Sequence, residues 1–299
     1  MNFNLRFGFP PGDCWCLTSI VRDFAEQFPG DSLSVDVPCP AIFEGNPFYT
    51  PYIHKPGQEI FFRFATGSGN QFYGNFRKTD TMVGAIYDYM RKHTGRNVQQ
   101  KCTAPEIYLT EDEKRYSLIP PEKPVCVLNA GWKADIPAKY WGMEKYESVV
   151  EALRDKVTFV QVGANRRGMD FHKHIPGAVD MIGKTTLREL AQLVYHADFV
   201  LTGISQLHHL SGIQCYKPRH CITVAGAREP ENWANCHSRE GVTWHWITSR
   251  NEFKRCVPKK PGFHDQATCW ESDCSDGRSP ACMEAIQPER IIKIFKELL

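Results

Sequence analysis

Short apolar runs alternate along this chain with segments whose apolar residues recur every three or four positions. Residues 2–7 alternate like a strand. Leu17, Ile20, Val21, Phe24 and Phe28 then repeat at helical spacing before a second strand at 33–37. The opening is therefore strand, loop, helix, strand, with Phe9-Pro-Pro-Gly-Asp13 read as a turn at the carboxyl end of the first strand. A strand beginning at Glu59 and a helix over 82–90 follow. Residues 109–123, charged and proline-rich, read as a linker. Beyond it, 125–129, 157–162, 198–202 and 221–224 are short, apolar and partly β-branched, the pattern of buried parallel strands, with a helix at 146–153. Pro288, followed by Ile291, Ile292, Phe295, Leu298 and Leu299, opens an amphipathic terminal helix. This alternation predicts an α/β chain of two domains, 1–120 and 121–287, with the helix 288–299 at the end.

The most informative stretch is 183–212. Thr186 and Glu189 have capping-box spacing, and Leu187, Leu190, Ala191 and Val194 follow on one helical face. The strand at 198–202 is broken by Gly203, and Ser205, Gln206, His208 and His209 come next. A parallel strand that turns through glycine into a helix presents free backbone N–H groups at the carboxyl edge of a sheet, where α/β proteins bind phosphorylated ligands. Ser205 and His209, one helical turn apart, would complete an anion site. The alternative is that His208 and His209 are ordinary helix-surface or core histidines.

With 299 residues, 42% of them hydrophobic, the chain is long enough for two such domains. Its net charge of +2 argues against a strongly nucleic-acid-binding protein. No apolar run approaches the length of a membrane span and the N-terminus lacks a signal-peptide core, so a cytoplasmic protein with at most peripheral membrane contact is expected. Of the 12 cysteines, Cys14, Cys16, Cys39, Cys102, Cys126, Cys215, Cys221 and Cys236 lie in or beside apolar patterns and read as small buried hydrophobes. Cys256, Cys269, Cys274 and Cys282 instead share one segment poor in apolar residues, where four thiolates could hold Zn²⁺ or iron, or remain as thiols or a disulfide.

The stretch 183–212 resembles the donor-site region of glycosyltransferase family 9, the ADP-heptose:lipopolysaccharide heptosyltransferases. Gly183-Lys184-Thr185, Leu187, Glu189-Leu190-Ala191, Ala197-Asp198, Ser205 and His209-Leu210 carry the likeness, while Ile204 stands where the family has an acidic residue and Gln206 where it has glycine. The resemblance implies a GT-B fold of two Rossmann-like domains with a cleft between them, the terminal helix returning to the first domain. It further implies an inverting transfer from a nucleotide-sugar to a hydroxyl acceptor, with no cofactor required for catalysis.

Gly12-Asp13 occupies the place of the family's Gly-Asp pair, which makes Asp13 the general base on the acceptor; read from its residues alone, an Asp here would simply cap the helix. Lys139, within Lys-Tyr-Trp, and secondarily Lys133 match the lysine on the donor diphosphate, joined by Ser205, Gln206 and His209. Arg228 and Glu229 fall in a loop similar to the family's nucleotide loop. Cys282-Met-Glu-Ala-Ile-Gln-Pro-Glu-Arg290 matches a family pattern that follows its cysteines. Phe72, Tyr73 and Arg77, in a run of aromatics, amides and cations, are acceptor candidates, although such a run also suits a packed loop. The expected partners are an ADP-linked nucleotide-sugar carrying heptose or another hexose-type sugar, and a glycan, lipid-linked or macromolecular hydroxyl acceptor. Two other readings stay open: a non-catalytic sugar- or nucleotide-binding protein, motivated by Ile204 and Gln206, and a transferase acting on protein or modified DNA.

Overall fold

The computed structural model describes residues 1–52, 56–62, 81–101, 104–120, 122–133, 139–164, 170–227, 231, 239–253 and 280–299. Within them, two parallel sheets lie one after the other along the chain. The first has the order β3-β2-β1-β4, built from β1 (Asn2–Phe7), β2 (Ser32–Asp36), β3 (Thr50–Pro51) and β4 (Gln58–Phe62). Phe3, Leu5 and Phe7 on β1, with Val35 on β2 and Ile60 on β4, turn one face of this sheet into the core, where α1 (Pro11–Gln27) and α2 (Met82–Thr94) pack. Phe3 meets Phe24 edge to face at 5.7 Å, and the Tyr87 hydroxyl donates to Asp23 Oδ2 at 2.6 Å. The alternate residues Asn4, Arg6, Ser34 and Glu59 form a hydrogen-bonded polar network on the other face.

The turn expected before α1 is shorter than its sequence suggested. Pro11, Gly12 and Asp13 are already the first helical turn, because proline at the first helical position loses no intrahelical bond and has its φ preset. Pro10 is the N-cap residue and makes no side-chain capping bond, so Asp13 is not the helix cap.

The segment read as a linker also holds structure. α3 (Glu111–Arg115) is closed by a complete capping box between Thr110 and Glu113. Residues 104–109 before it are largely buried, with Glu106 N–H donating to Thr18 Oγ1 at 2.8 Å.

The second sheet has the order β12-β11-β10-β5-β7-β9, all parallel. It is built from β5 (Val125–Asn129), β7 (Thr158–Gly163), β9 (Val179–Ile182), β10 (Phe199–Gly203), β11 (Arg219–Ala225) and β12 (Val242–Thr248). A two-stranded antiparallel ribbon, β6 (Trp132–Lys133) with β8 (Asp170–Phe171), stands beside it. The intervening helices are α4 (Met143–Leu153), α5 (Leu187–His196) and α6 (Gln206–Leu210). α5 carries the predicted capping box, with both the Thr186 and the Glu189 bonds formed.

α7 (Ala281–Glu284) and α8 (Pro288–Leu298) close the described chain. Ile291 and Phe295 of α8 pack in a core with Phe159 and Phe199 of the second sheet, and that cluster contains no residue before Cys126. The apolar face of the terminal helix thus packs on the second sheet. None of the described helices is long and apolar enough to cross a membrane.

Arg219 is fully buried, and its guanidinium donates to the carbonyls of Val194, Ser211 and Ile213. These lie at or just beyond the carboxyl-terminal ends of α5 and α6, where the helix dipole favours a cation. Of the cysteines expected to act as buried hydrophobes, Cys14, Cys16, Cys126 and Cys221 are buried and Cys39 and Cys215 are partly so; Cys102 and Cys236 lie outside the described residues.

Candidate active site

The two sheets meet through the turns that follow their strands. α1, which leaves β1, packs on α6, which leaves β10. Gly12 lies against this turn: a Cβ there would stand 3.4 Å from both Gln206 Cα and His209 Cδ2, at van der Waals contact. One turn further along α1, Cys16 Sγ lies 3.7 Å from His209 Nδ1. Asp13, half-buried, is next to Gly12 in the first turn of α1. The candidate base and the candidate donor turn, far apart in sequence, are thereby brought to one place.

The β10 turn is held from several sides. Ser205 caps α6, its Oγ accepting from Leu207 N–H at 3.2 Å and lying 3.0 Å from Thr202 Oγ1. The buried Tyr146 hydroxyl is hydrogen-bonded to the Gly203 backbone, and burial pushes this phenol well above its ordinary pKa. A Cβ on Gly203 would meet the Lys139 carbonyl at 3.3 Å, which sets the chain at Lys139 beside the turn. Gln206 and Ser205 are half-buried, whereas His209 is 8% exposed. His208 is fully buried, its Nδ1 3.0 Å from Thr223 Oγ1 and its ring 5.0 Å from that of Trp244. The two histidines therefore separate: His208 is a satisfied core residue, and His209 faces α1. Ile204, at the position of the expected acid, is buried in the apolar core.

β5 and β7 carry glycine at or just past their carboxyl ends, and both glycines face the same ring. A Cβ on Gly131 would fall 2.0 Å from His172 Cε1, and one on Gly163 would fall 2.1 Å from the same atom. The imidazole thus occupies the space that two side chains would fill. Beside it, Trp132 and Phe171 stack at 4.5 Å with ring planes 17° apart, and Tyr140 is 6.1 Å from Trp132. Trp132, Phe171 and His172 were not singled out from the sequence. The available signal was a glycine at the end of each of two neighbouring strands, which argues for something placed close against the backbone.

Lys133 sits on β6 opposite Asp170, in the ribbon that follows β5. Asp13, Lys139, Ser205, Gln206 and His209 are thus grouped around the ends of β1, β5 and β10. Arg228, Glu229, Phe72, Tyr73 and Arg77 lie outside the described residues, as do Cys256, Cys269 and Cys274. Cys282 is buried in the second core, where a Cβ on Gly226 would meet its Sγ at 3.1 Å. Among the described residues no group of three or more His, Cys, Asp or Glu side chains is placed to hold a metal ion.

Two parallel α/β sheets joined through the turns at their strand ends define a GT-B fold, and solved structures share it along the whole chain. A glycosyltransferase family 9 protein from Veillonella parvula matches with a TM-score of 0.66 at 12% identity, over 99% of this chain and 96% of its own. Escherichia coli ADP-heptose lipopolysaccharide heptosyltransferase II matches with a TM-score of 0.60 at 13% identity, over 100% and 98%. TibC, an iron-containing dodecameric glycosyltransferase of enterotoxigenic E. coli, matches in its complex with ADP-D-β-D-heptose with a TM-score of 0.64 at 17% identity, over 99% and 76%. The model of glycosyltransferase family 9 (heptosyltransferase) matches residues 77–261, and the chain belongs to that family. No curated protein matches it in sequence.

Proposed function

We propose that this chain transfers a sugar from a nucleotide-sugar, ADP-linked, to a hydroxyl acceptor in a single inverting displacement. The observation that carries the reading is the approach of Gly12 to Gln206 and His209, which sets Asp13 of the first half beside the β10 turn of the second. Asp13 takes the acceptor proton as the hydroxyl oxygen attacks the anomeric carbon; the bond from that carbon to the diphosphate oxygen breaks, and the nucleoside diphosphate leaves with the charge. Lys139 and His209 stand where that charge develops, Lys133 supports them, and Ser205 and Gln206 shape the turn against which the diphosphate rests. The Trp132–Phe171 stack beside the glycine-flanked His172 offers an aromatic face for the base. Arg228 and Glu229 serve the nucleotide, and Phe72, Tyr73 and Arg77 serve the acceptor. ADP-heptose is the first donor to try, because the structural relatives are described with it.

The buried Ile204 favours a second reading, a nucleotide-binding protein without turnover. A panel of ADP-, UDP-, GDP- and dTDP-sugars separates the two. At about 100 times its dissociation constant, a true donor adds roughly 2.7 kcal/mol to stability, a shift of several degrees, and releases its nucleotide when acceptor is added. Stabilisation without release would support the second reading, and no stabilisation by any member of the panel would contradict both.

Cys256, Cys269, Cys274 and Cys282 are proposed as a tetrahedral thiolate site for Zn²⁺ or iron that orders their segment and takes no part in transfer. The iron reported for TibC supports this reading, as does the confinement of four cysteines to a segment with few apolar residues. Metal analysis of purified protein should find about one ion per chain and lose it on Cys269→Ala with Cys274→Ala; equal metal content in the variant would contradict the site.

A further inference from the structure

A second site lies on the first sheet. A pocket of about 330 Å³ opens at the carboxyl ends of β1 and β2, lined by Arg6, Asp36, Pro40, Tyr49, Pro51 and Tyr52 together with Val35 and Val37. Arg6 and Asp36 are direct partners across the two strands and so project from the same face. That is the face opposite α1. The Arg6 guanidinium is fixed from one side: it donates to the Tyr52 hydroxyl at 2.6 Å, lies over the Tyr52 ring at 4.6 Å and pairs with Glu59 at 3.3 Å. Tyr52 in turn donates to Glu59 Oε1 at 3.1 Å, and Tyr49 is braced by stacking on Phe43 at 4.7 Å.

The chemistry of this lining selects its ligand. One guanidinium stands against two carboxylates, Glu59 and Asp36, so the local balance is negative and a phosphate or carboxylate group is disfavoured. A guanidinium and a carboxylate side by side offer a fork of donors and a pair of acceptors, and vicinal hydroxyls, each both donor and acceptor, can use both at once. Two tyrosines and two prolines supply the apolar remainder against which the C–H face of a sugar ring packs. The volume is at the lower end for small-molecule sites, enough for one monosaccharide unit.

We infer that this pocket binds a neutral sugar unit of the acceptor. The inference rests on the transferase reading in making the bound sugar part of the substrate. Asp13 lies in the first turn of α1 on the opposite face of the same β1 end, so a unit in the pocket and a hydroxyl at Asp13 are separated by roughly one layer of structure, on the order of 10 Å. The acceptor is accordingly an oligosaccharide, held by one unit and glycosylated on another.

The test is binding of the full chain to an immobilised panel of neutral oligosaccharides, with sialylated and phosphorylated counterparts, for the wild type and for Asp36→Ala and Tyr52→Phe. Asp36 is exposed, so its replacement leaves the fold intact. A neutral oligosaccharide should bind, and each substitution should weaken it about tenfold while nucleotide-sugar thermal shifts stay unchanged. In turnover the loss should appear in KM for oligosaccharide acceptors and not in kcat. Binding confined to anionic glycans, no glycan binding, or wild-type affinity retained in both variants would overturn the inference. Glycan binding lost on Asp36→Ala in a protein that binds no nucleotide-sugar would leave the pocket assigned and remove the transferase reading instead.

Discussion

Asp13 and the glycines around the site are where single atoms decide the outcome. Asp13→Asn keeps the shape of the first turn of α1 and removes the proton acceptor, so kcat should fall by about 10²–10⁴ with donor affinity unchanged. Gly163→Ala tests the imidazole cradle, since its Cβ would fall within 2.1 Å of His172. Displacing a packed ring costs about 1–3 kcal/mol, and His172→Ala in the same chain should restore much of it, which a double-mutant cycle in chemical denaturation will read. Without His172 to relieve, Gly163→Ala and the double variant would be equally unstable. Asp13 was singled out in the sequence only through the likeness of Gly12-Asp13 to the family's Gly-Asp pair, since its residues alone read as a helix cap. His172 was not, because what marks it is the convergence of two glycines from different strands, and only the folded sheet brings them to one ring.

Elements were legible wherever local pattern and burial agree. The capping box of α5 and the apolar runs of β5, β7, β10 and β11 follow directly from spacing. β9 escaped because it is an edge strand with no buried residue in its four positions, and the apolar run expected of a parallel strand is missing there. β12 escaped because it is the other edge and alternates tryptophan with polar residues. That edge carries a titratable pair: His220 Nδ1 lies 3.1 Å from His245 Nε2. Burial holds both imidazoles below their ordinary value of 6.5, and for His245 the neighbouring His220 adds to it. A histidine whose folded pKa is lowered binds a proton more readily once unfolded. The stability it contributes is present above pH 6.5 and is lost as the pH falls below it. The melting temperature should therefore drop between about pH 7 and pH 5, and His245→Gln should flatten that slope; an unchanged slope would show that the pair does not set it. The buried Arg219 governs the neighbouring helix ends. Arg219→Leu removes the guanidinium donor from three carbonyls, of which Val194 and Ser211 keep bonds from Ala197 N–H and Cys221 Sγ, and should cost about 1–3 kcal/mol in denaturant unfolding.

At the scale of the whole molecule, the two sheets share one apolar cluster, running from Phe3 and Leu5 through Leu17 and Ile20 to Val200, Leu207 and Leu210. Polar bonds cross the same boundary, with Arg188 of α5 donating to the Glu44 carbonyl at 3.0 Å and to Glu113 Oε1 at 2.9 Å. A shared core couples the halves, so fluorescence and circular dichroism should report one coincident thermal transition; two separated transitions would show that the halves unfold independently. The α/β class and the division near the charged segment could be read from periodicity, since each half repeats strand and helix. The packing of α1 on α6 could not, because it joins Gly12 to a turn nearly 200 residues away in the chain.

That packing is what makes the chain a candidate transferase, and it is tested most directly by giving wild type and Asp13→Asn the same ADP-heptose and acceptor panel while measuring donor affinity and nucleotide release together. Equal affinity with release reduced at least about 100-fold in the variant is the predicted result. Equal release from both proteins would remove Asp13 from the chemistry, and failure of either protein to bind the donor would contradict the assignment of the β10 turn.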